Sequence, residues 1–588
     1  MTTPLRACLL ALLLAPALAY AQTTPPPAAD SAFQHIYQTE WKWRTQQSSG
    51  GDEDGDPNAA AMNRRLPDVG PAAQAKKLAY LDGVLKQLDA VDVAKLSAAE
   101  QLNYAIYRPQ IAHMAAEIRL RDYEMPFNSD SSFWSNLDFM ARANLRDANA
   151  YRAYAARLRD VPRYFDQQIS NMRAGLARGF SVPQAVLAGR DGSIAMTAEL
   201  KDPTSASLYA PYAKMPSSIP AAEQETLRKE GQAAIRDAVI PAFGKLLTFF
   251  RSEYMPKART TLAAEAMPDG VNWYREQIRK YTTLDLTPDE IHAIGVQEVA
   301  SIRAEMEGII QTLGFKGQSE ATRFNDFLTF LRTDPQFYAK TPQELLNHAA
   351  WISKRVDGQI GKIIGTLPRG RFTIVPVPPS IAPFWTAGRG GAGTYWVNTY
   401  DLPSRPLYNL PALTLHESAP GHSLQQSLVI EQGEVPNFRK EYISAYGEGW
   451  GLYSEWLGKE MGIYETPYDD FGRLTYAMWR ACRLVIDTGV HHKGWTREQA
   501  LAYLRDNTAL SEHEVTTEVD RYISWPGQAL SYKLGEITIM RLRREAEAAL
   551  GAKFDVRKFH DTLLSQGSVP LPVLESQIRA WIAAQKSG

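Results

Sequence analysis

Within Leu415-His416-Glu417-Ser418-Ala419-Pro420-Gly421-His422, two histidines flank a glutamate and a Pro-Gly step. In a His-Glu-x-x-His helix the two imidazoles stand four residues apart on one face and bind zinc together. The Glu between them then faces the metal's water as a general base. Here the second His comes two residues late. At about 100° per residue, His416 and His422 would point about 120° apart on a straight helix, too far round to meet one ion. A chain that uses this stretch as a metal site has to interrupt the helix. Pro420 cannot donate to the carbonyl of His416 and clashes with it, while Gly421 admits unusual backbone angles. The expectation is a bulge or break between Ser418 and Gly421 that brings both imidazoles to one point.

Two imidazoles leave a catalytic zinc one protein ligand short, because such sites carry three and keep a position for water. Tyr446-Gly447-Glu448-Gly449-Trp450-Gly451-Leu452-Tyr453-Ser454-Glu455 follows closely. Small residues on either side of Glu448 would let its helix come close to the metal helix. Glu448 is the favoured third ligand. Glu455, two turns further along the same face, either orients a His ligand or is the ligand itself. Glu417 is the candidate general base for a single zinc ion.

A tetrahedral intermediate also needs a donor for its oxyanion. One candidate is His491, with Asp487 a helical turn before it. Tyr522 and Tyr532, on either side of Trp525-Pro526-Gly527, are the others. Arg521 is placed to receive a substrate carboxylate, which would make the chain a carboxypeptidase.

The rest of the sequence reads as mainly α-helical. Leu78, Leu81, Leu85 and Leu88 recur at helical spacing, and Ser97-x-x-Glu100 opens the next helix. Comparable starts stand at Thr287, Thr341 and Thr496. The exception precedes the His motif. Residues 372–377 and 393–399 form two candidate strands around the glycine-rich loop 388–393. The expectation is a small sheet next to the metal helix, either an ordinary hairpin or one whose edge strand pairs with extended peptide. Tyr395 and Asn398 are its substrate-binding candidates.

Residues 1–21 have the form of a secretory leader, with Arg6, an apolar core from Leu9 to Leu18, and Ala19-Tyr20-Ala21 before the cut. Residues 22–30 read as a proline-rich spacer, and Gly50 to Pro57 as a solvated acidic loop. Beyond the leader, 31–588 is expected to form one helical body, divisible near residue 285 into lobes 31–285 and 286–588. Only Cys482 remains in the mature chain, so no internal disulfide is expected in a periplasmic or secreted product. A formal net charge of −1 without long runs of one sign disfavours nucleic acid and anionic membrane as partners. No stretch beyond the leader is long and apolar enough for an integral membrane anchor.

The His416–His422 and Glu448–Glu455 segments resemble the bacterial family known as domain of unknown function eight-eight-five. So do the segments Arg483 to His491, Arg521 to Tyr532, Arg65-Leu66-Pro67-Asp68-Val69 and Asn171-Met172-Arg173-Ala174-Gly175. That family is grouped with gluzincin-type metallopeptidases. The resemblance implies a helical, oligopeptidase-like fold with a deep groove, His416, His422 and Glu448 as ligands, and Glu417 as base. The expected function is a secreted zinc peptidase of short peptides. The alternatives are an exported peptide-binding protein with a structural or lost metal site, and a zinc hydrolase of other amides or esters.

Overall fold

The computed structural model describes residues 28–47, 64–129, 131–379 and 381–587. The leader, most of the spacer and the acidic Gly50–Pro57 stretch lie outside them. The first described helix, α1 (Ala28–Gln47), starts inside the segment read as spacer. The fold is mainly helical, and its caps are those the sequence signals. α2 (Ala98–Leu120) starts at Ser97, whose side chain accepts from the Glu100 amide. The Glu100 carboxylate is not free to close the capping box, because it accepts from Gln34 and Asn103 instead. α3 (Ala148–Arg178) is a long buried helix, and α4 (Gly270–Thr282) follows it. α5 (Pro288–Thr312) has a full Thr287–Glu290 capping box with Pro at its first position, where a missing N–H costs nothing.

Three short strands interrupt the helices: β1 (Thr373–Pro376), β2 (Gly388–Gly391) and β3 (Thr394–Val397). Their order is β1-β3-β2, with β3 parallel to β1 and antiparallel to β2. This corrects one expectation. The glycine-rich stretch read as a loop is itself an edge strand. With no side chains to bury at most of its positions, β2 is ordered through its backbone, which no apolar alternation announces.

After the sheet come α6 (Leu410–Glu417), α7 (His422–Glu431), α8 (Ser444–Glu460), α9 (Pro467–His491), α10 (Glu512–Ser524) and α11 (Ser531–Leu550). α9 is buried almost continuously from Phe471 to His491, as expected of a helix packed on all sides. α5 lies along it, α8 crosses α11, and β2 sits against both α6 and α7. The α8–α11 crossing is close because Gly449 faces Gly535. A Cβ on Gly449 would meet the Gly535 backbone at 2.6 Å. One apolar core cluster reaches from Phe33 to Ile582 and spans both sides of residue 285. A smaller one joins Phe180, Trp273 and Tyr274 to Leu484, Leu530 and Leu534.

Candidate metal centre

The helix break falls where the His spacing requires it. α6 ends at Glu417 and α7 begins at His422, with a cis Ala419-Pro420 peptide between them. The Gly421 amide donates to Leu415 O at 3.0 Å and the Ser423 amide to Ser418 O at 3.0 Å, so the backbone stays paired across the break. A Cβ on Gly421 would lie 1.9 Å from the carbonyl oxygen of His416, which leaves glycine as the residue that fits. Ser418 Oγ donates to Thr414 O at 2.6 Å, and the Trp450 indole N–H donates to Pro420 O at 2.7 Å, tying the break to α8.

As a result the two imidazoles meet, with ring centroids 4.7 Å apart and planes at 87°. Glu448 Oε2 lies 3.4 Å from His416 Nε2 and 3.4 Å from His422 Nε2. Ligand atoms from all three residues fall within 4.8 Å of one another. His416 and His422 are only 2% and 6% exposed. Glu455 accepts from His416 Nδ1 at 2.8 Å, so Nε2 is the nitrogen turned to the cluster. Of the two acids the sequence offered, Glu448 is the one beside both Nε2 atoms, and Glu455 is the one on the opposite nitrogen of His416.

The glycines of α8 make this possible. A Cβ on Gly451 would sit 2.7 Å from the His416 ring, and one on Gly447 would sit 2.2 Å from the ring of Tyr442. The Tyr442 hydroxyl in turn donates to Glu448 Oε1 at 3.0 Å. Glu417 is turned to the edge strand, where its carboxylate accepts from the Gly390 amide. A Cβ at Gly390 would be 1.8 Å from Glu417 O, so the strand approaches as backbone alone.

The electrostatics favour a cation. Burial opposes charge on His416, but hydrogen bonds that the imidazole donates to Glu448 and Glu455, with the charge of Glu417, raise its pKa to about 10. Burial would likewise raise Glu448, yet the two imidazoles, His422 foremost, hold it well below the usual carboxylate range. Two His with one Glu is also a donor set that zinc takes.

A cavity of about 2010 Å³ opens onto His416, Glu417, His422 and Glu448. Its wall also takes in α2 and α4, joined by a His113–Glu276 hydrogen bond and the Lys280–Glu117 ion pair. Tyr532 and Arg521 line the same cavity. The Tyr532 ring lies 6.4 Å from that of His416 at 22°, and its hydroxyl accepts from Arg521 Nη2 at 3.3 Å.

Four other candidates do not face the cavity. His491 is fully buried and accepts from the Ala264 amide at Nδ1, with Nε2 against Tyr522 O. Burial lowers its pKa to about 3. Asp487 does not pair with it but receives the Tyr274 hydroxyl at 2.6 Å and the Gly527 amide. Tyr522 is held by the Trp479 indole at 2.8 Å and Arg483 Nε at 3.0 Å. Tyr395 is buried with its hydroxyl 3.3 Å from Thr414 Oγ1. Asn398 spends its amide on the carbonyls of Ala382, Trp385 and Thr386. All four are structural for the same reason: local patterning says that a polar group is present, not which tertiary partner claims it.

The residues sequence reasoning missed are Tyr442, Gly390, Arg480 and Arg483, all of which line the cavity. Arg480 and Arg483 stood in the sequence as part of an apolar helical run, one turn apart, and that alternation was the available signal.

A family model described as "Bacterial protein of unknown function (DUF885)" matches residues 45–578. Among solved structures, the chain is similar to "the putative lipoprotein from Colwellia psychrerythraea", with 25% identity and a TM-score of 0.82 over 95% of this chain and 99% of that one. It also shares its fold with "a putative lipoprotein of unknown function from Shewanella oneidensis", with 18% identity and a TM-score of 0.70 over 94% and 98% of the two chains. Comparison with the curated proteins finds no match. Among the described residues, no helix is long and apolar enough to cross a membrane.

Proposed function

The chain belongs to the bacterial DUF885 family of unknown function, and on that premise we propose that it is an exported zinc-dependent peptidase of short peptides. One observation carries the reading. Glu448 Oε2 stands 3.4 Å from Nε2 of both histidines. Two atoms each about 2.0–2.1 Å from a tetrahedral zinc are separated by about 3.3 Å, and these two spacings support the three residues as ligands of one ion. The same two-His, one-Glu set is what gluzincin-type peptidases use. The cavity supports a peptide over a smaller ligand, since about 2010 Å³ exceeds the roughly 300–1,000 Å³ of ordinary small-molecule pockets. Export is supported by the leader-like residues 1–21 and by the word lipoprotein in the names of both structural relatives.

When bound, zinc supplies a water of lowered pKa and polarises the scissile carbonyl. The remaining tasks fall to the chain. Glu417 takes the water's proton and returns it to the leaving amine, with the Gly390 amide fixing its carboxylate. Tyr532 offers its hydroxyl to the oxyanion, and Arg521 holds that oxygen in place. Glu455 keeps His416 in the tautomer whose Nε2 faces the metal.

The test is metal content and hydrolysis of a peptide mixture by the full chain and its Glu417→Gln variant. The expected result is one zinc per chain in both, with activity lower by about 100-fold or more in the variant. A protein without stoichiometric zinc, or equal hydrolysis by both, would sink the proposal.

A further inference from the structure

Beside His416 the cavity wall carries three arginines around one tyrosine. The guanidinium carbons of Arg483 and Arg480 lie 4.0 Å and 6.0 Å from the Tyr532 ring centre, and Arg521 donates to its hydroxyl. Two carboxylates face them. Glu518 lies 2.7 Å from Arg483 and 3.5 Å from Arg521, while Glu455 lies 3.4 Å from Arg480 and also serves His416.

The hydrogen bonding is incomplete in the same place. Arg483 is 1% exposed and Arg480 3%, yet Arg483 Nη1 and Arg480 Nε are buried without any partner. A buried guanidinium N–H left unpaired is costly, so both residues are short of an acceptor. Planar guanidinium forks on one wall of the cavity suit the two oxygens of a carboxylate.

We infer that this wall receives the C-terminal carboxylate of the peptide, which makes the protein a carboxypeptidase. The inference rests on the zinc-peptidase reading and adds the end of the substrate that is held. Its reach is bounded. Tyr532 lies 6.4 Å from His416 and 4.0 Å from Arg483, so the guanidinium is within about 10 Å of the metal cluster, roughly three extended residues. Water adds across the amide, its oxygen to the acyl carbon and its protons to the leaving amine, and a fragment of one to three residues departs.

The test uses N-acetylated pentapeptides with randomised side chains, made as free acids and as carboxamides, with zinc-loaded full-length protein. The acids should be cut with kcat/KM higher by about 30-fold or more, releasing C-terminal fragments of at most three residues. Arg483→Lys keeps a charge for Glu518 but loses the fork. It should raise KM for the acids about tenfold with little change in kcat. Equal rates on acids and carboxamides, or internal cuts alone, would overturn the inference and leave the peptidase intact. If nothing is hydrolysed, the peptidase reading falls, and titration of the two peptide sets into Glu417→Gln protein still decides the subsite. Tighter binding of the acids supports it, and equal binding removes it.

Discussion

Replacing Gly451 by alanine separates metal binding from folding. An added Cβ would stand 2.7 Å from both Cε1 and Nε2 of His416, against an ordinary carbon contact of about 3.5 Å. The ring therefore has to retreat by about 0.8 Å, while metal–ligand distances tolerate only about 0.2 Å. Glu455 and Glu448 grip the ring from either nitrogen, so it cannot simply rotate away. Alanine meanwhile raises helix propensity in α8 by about 1 kcal/mol, which offsets part of the clash. The expected variant is folded, with a thermal midpoint after chelation within a few degrees of the parent. Its zinc affinity should be lower by about 100-fold or more. Competition with a chromophoric chelator measures the affinity, and circular dichroism of the chelated protein measures the fold. Parental zinc affinity in folded Gly451→Ala protein would refute the assignment of His416 as a ligand.

Two further outcomes follow from partners of the site. Glu455→Gln removes the charged acceptor at His416 Nδ1 and should weaken zinc binding by about 10- to 100-fold in the same chelator assay. Asp487 bears on stability against pH. Burial raises its pKa to about 7, with the Tyr274 and Gly527 hydrogen bonds pulling the other way. An acid whose folded pKa exceeds its unfolded value of about 3.9 binds more protons when folded, so stability falls as pH rises between the two. Asp487→Asn should flatten that slope between about pH 4 and 7 in urea titrations, and should unfold later than the parent at pH 8. An unchanged slope would show that Asp487 is not the titrating group.

The part of this centre that could be read in the sequence was the part fixed by covalent spacing. A six-residue interval between His416 and His422 has few solutions on a helix, and Pro420-Gly421 marked where it had to break. Helix starts at Thr287 and Thr496 were legible because a capping box is complete within four residues. Of the four residues read as functional and found structural, His491 depends on a partner far along the chain, the Ala264 amide, 227 residues away. Asp487 stands one turn from His491, yet the hydroxyl that claims it belongs to Tyr274, 213 residues away. Tyr395 lies on β3 and Asn398 just past its end, in a stretch whose alternation was visible, but alternation does not say which face meets the core. β2 was read as a loop because glycines carry no pattern. Arg480 and Arg483 escaped notice because a cation in an apolar helix acquires meaning only when the opposite wall is known.

The broken helix has a dynamic consequence. Its halves are 8 and 10 residues long, shorter than the roughly 12–15 at which an isolated helix begins to hold itself together in water. Each stays formed through what it touches: the Trp450 clasp on Pro420, and Ser423 Oγ on Gly391 O at 2.8 Å. An ion shared by His416 and His422 would be a staple across the gap, holding the two halves together as well as serving the site. Local opening of α6 and α7 would then be rarer with the ion bound, readable as slower amide exchange in both. A mutation that loosens Trp450 would speed that exchange without touching a ligand.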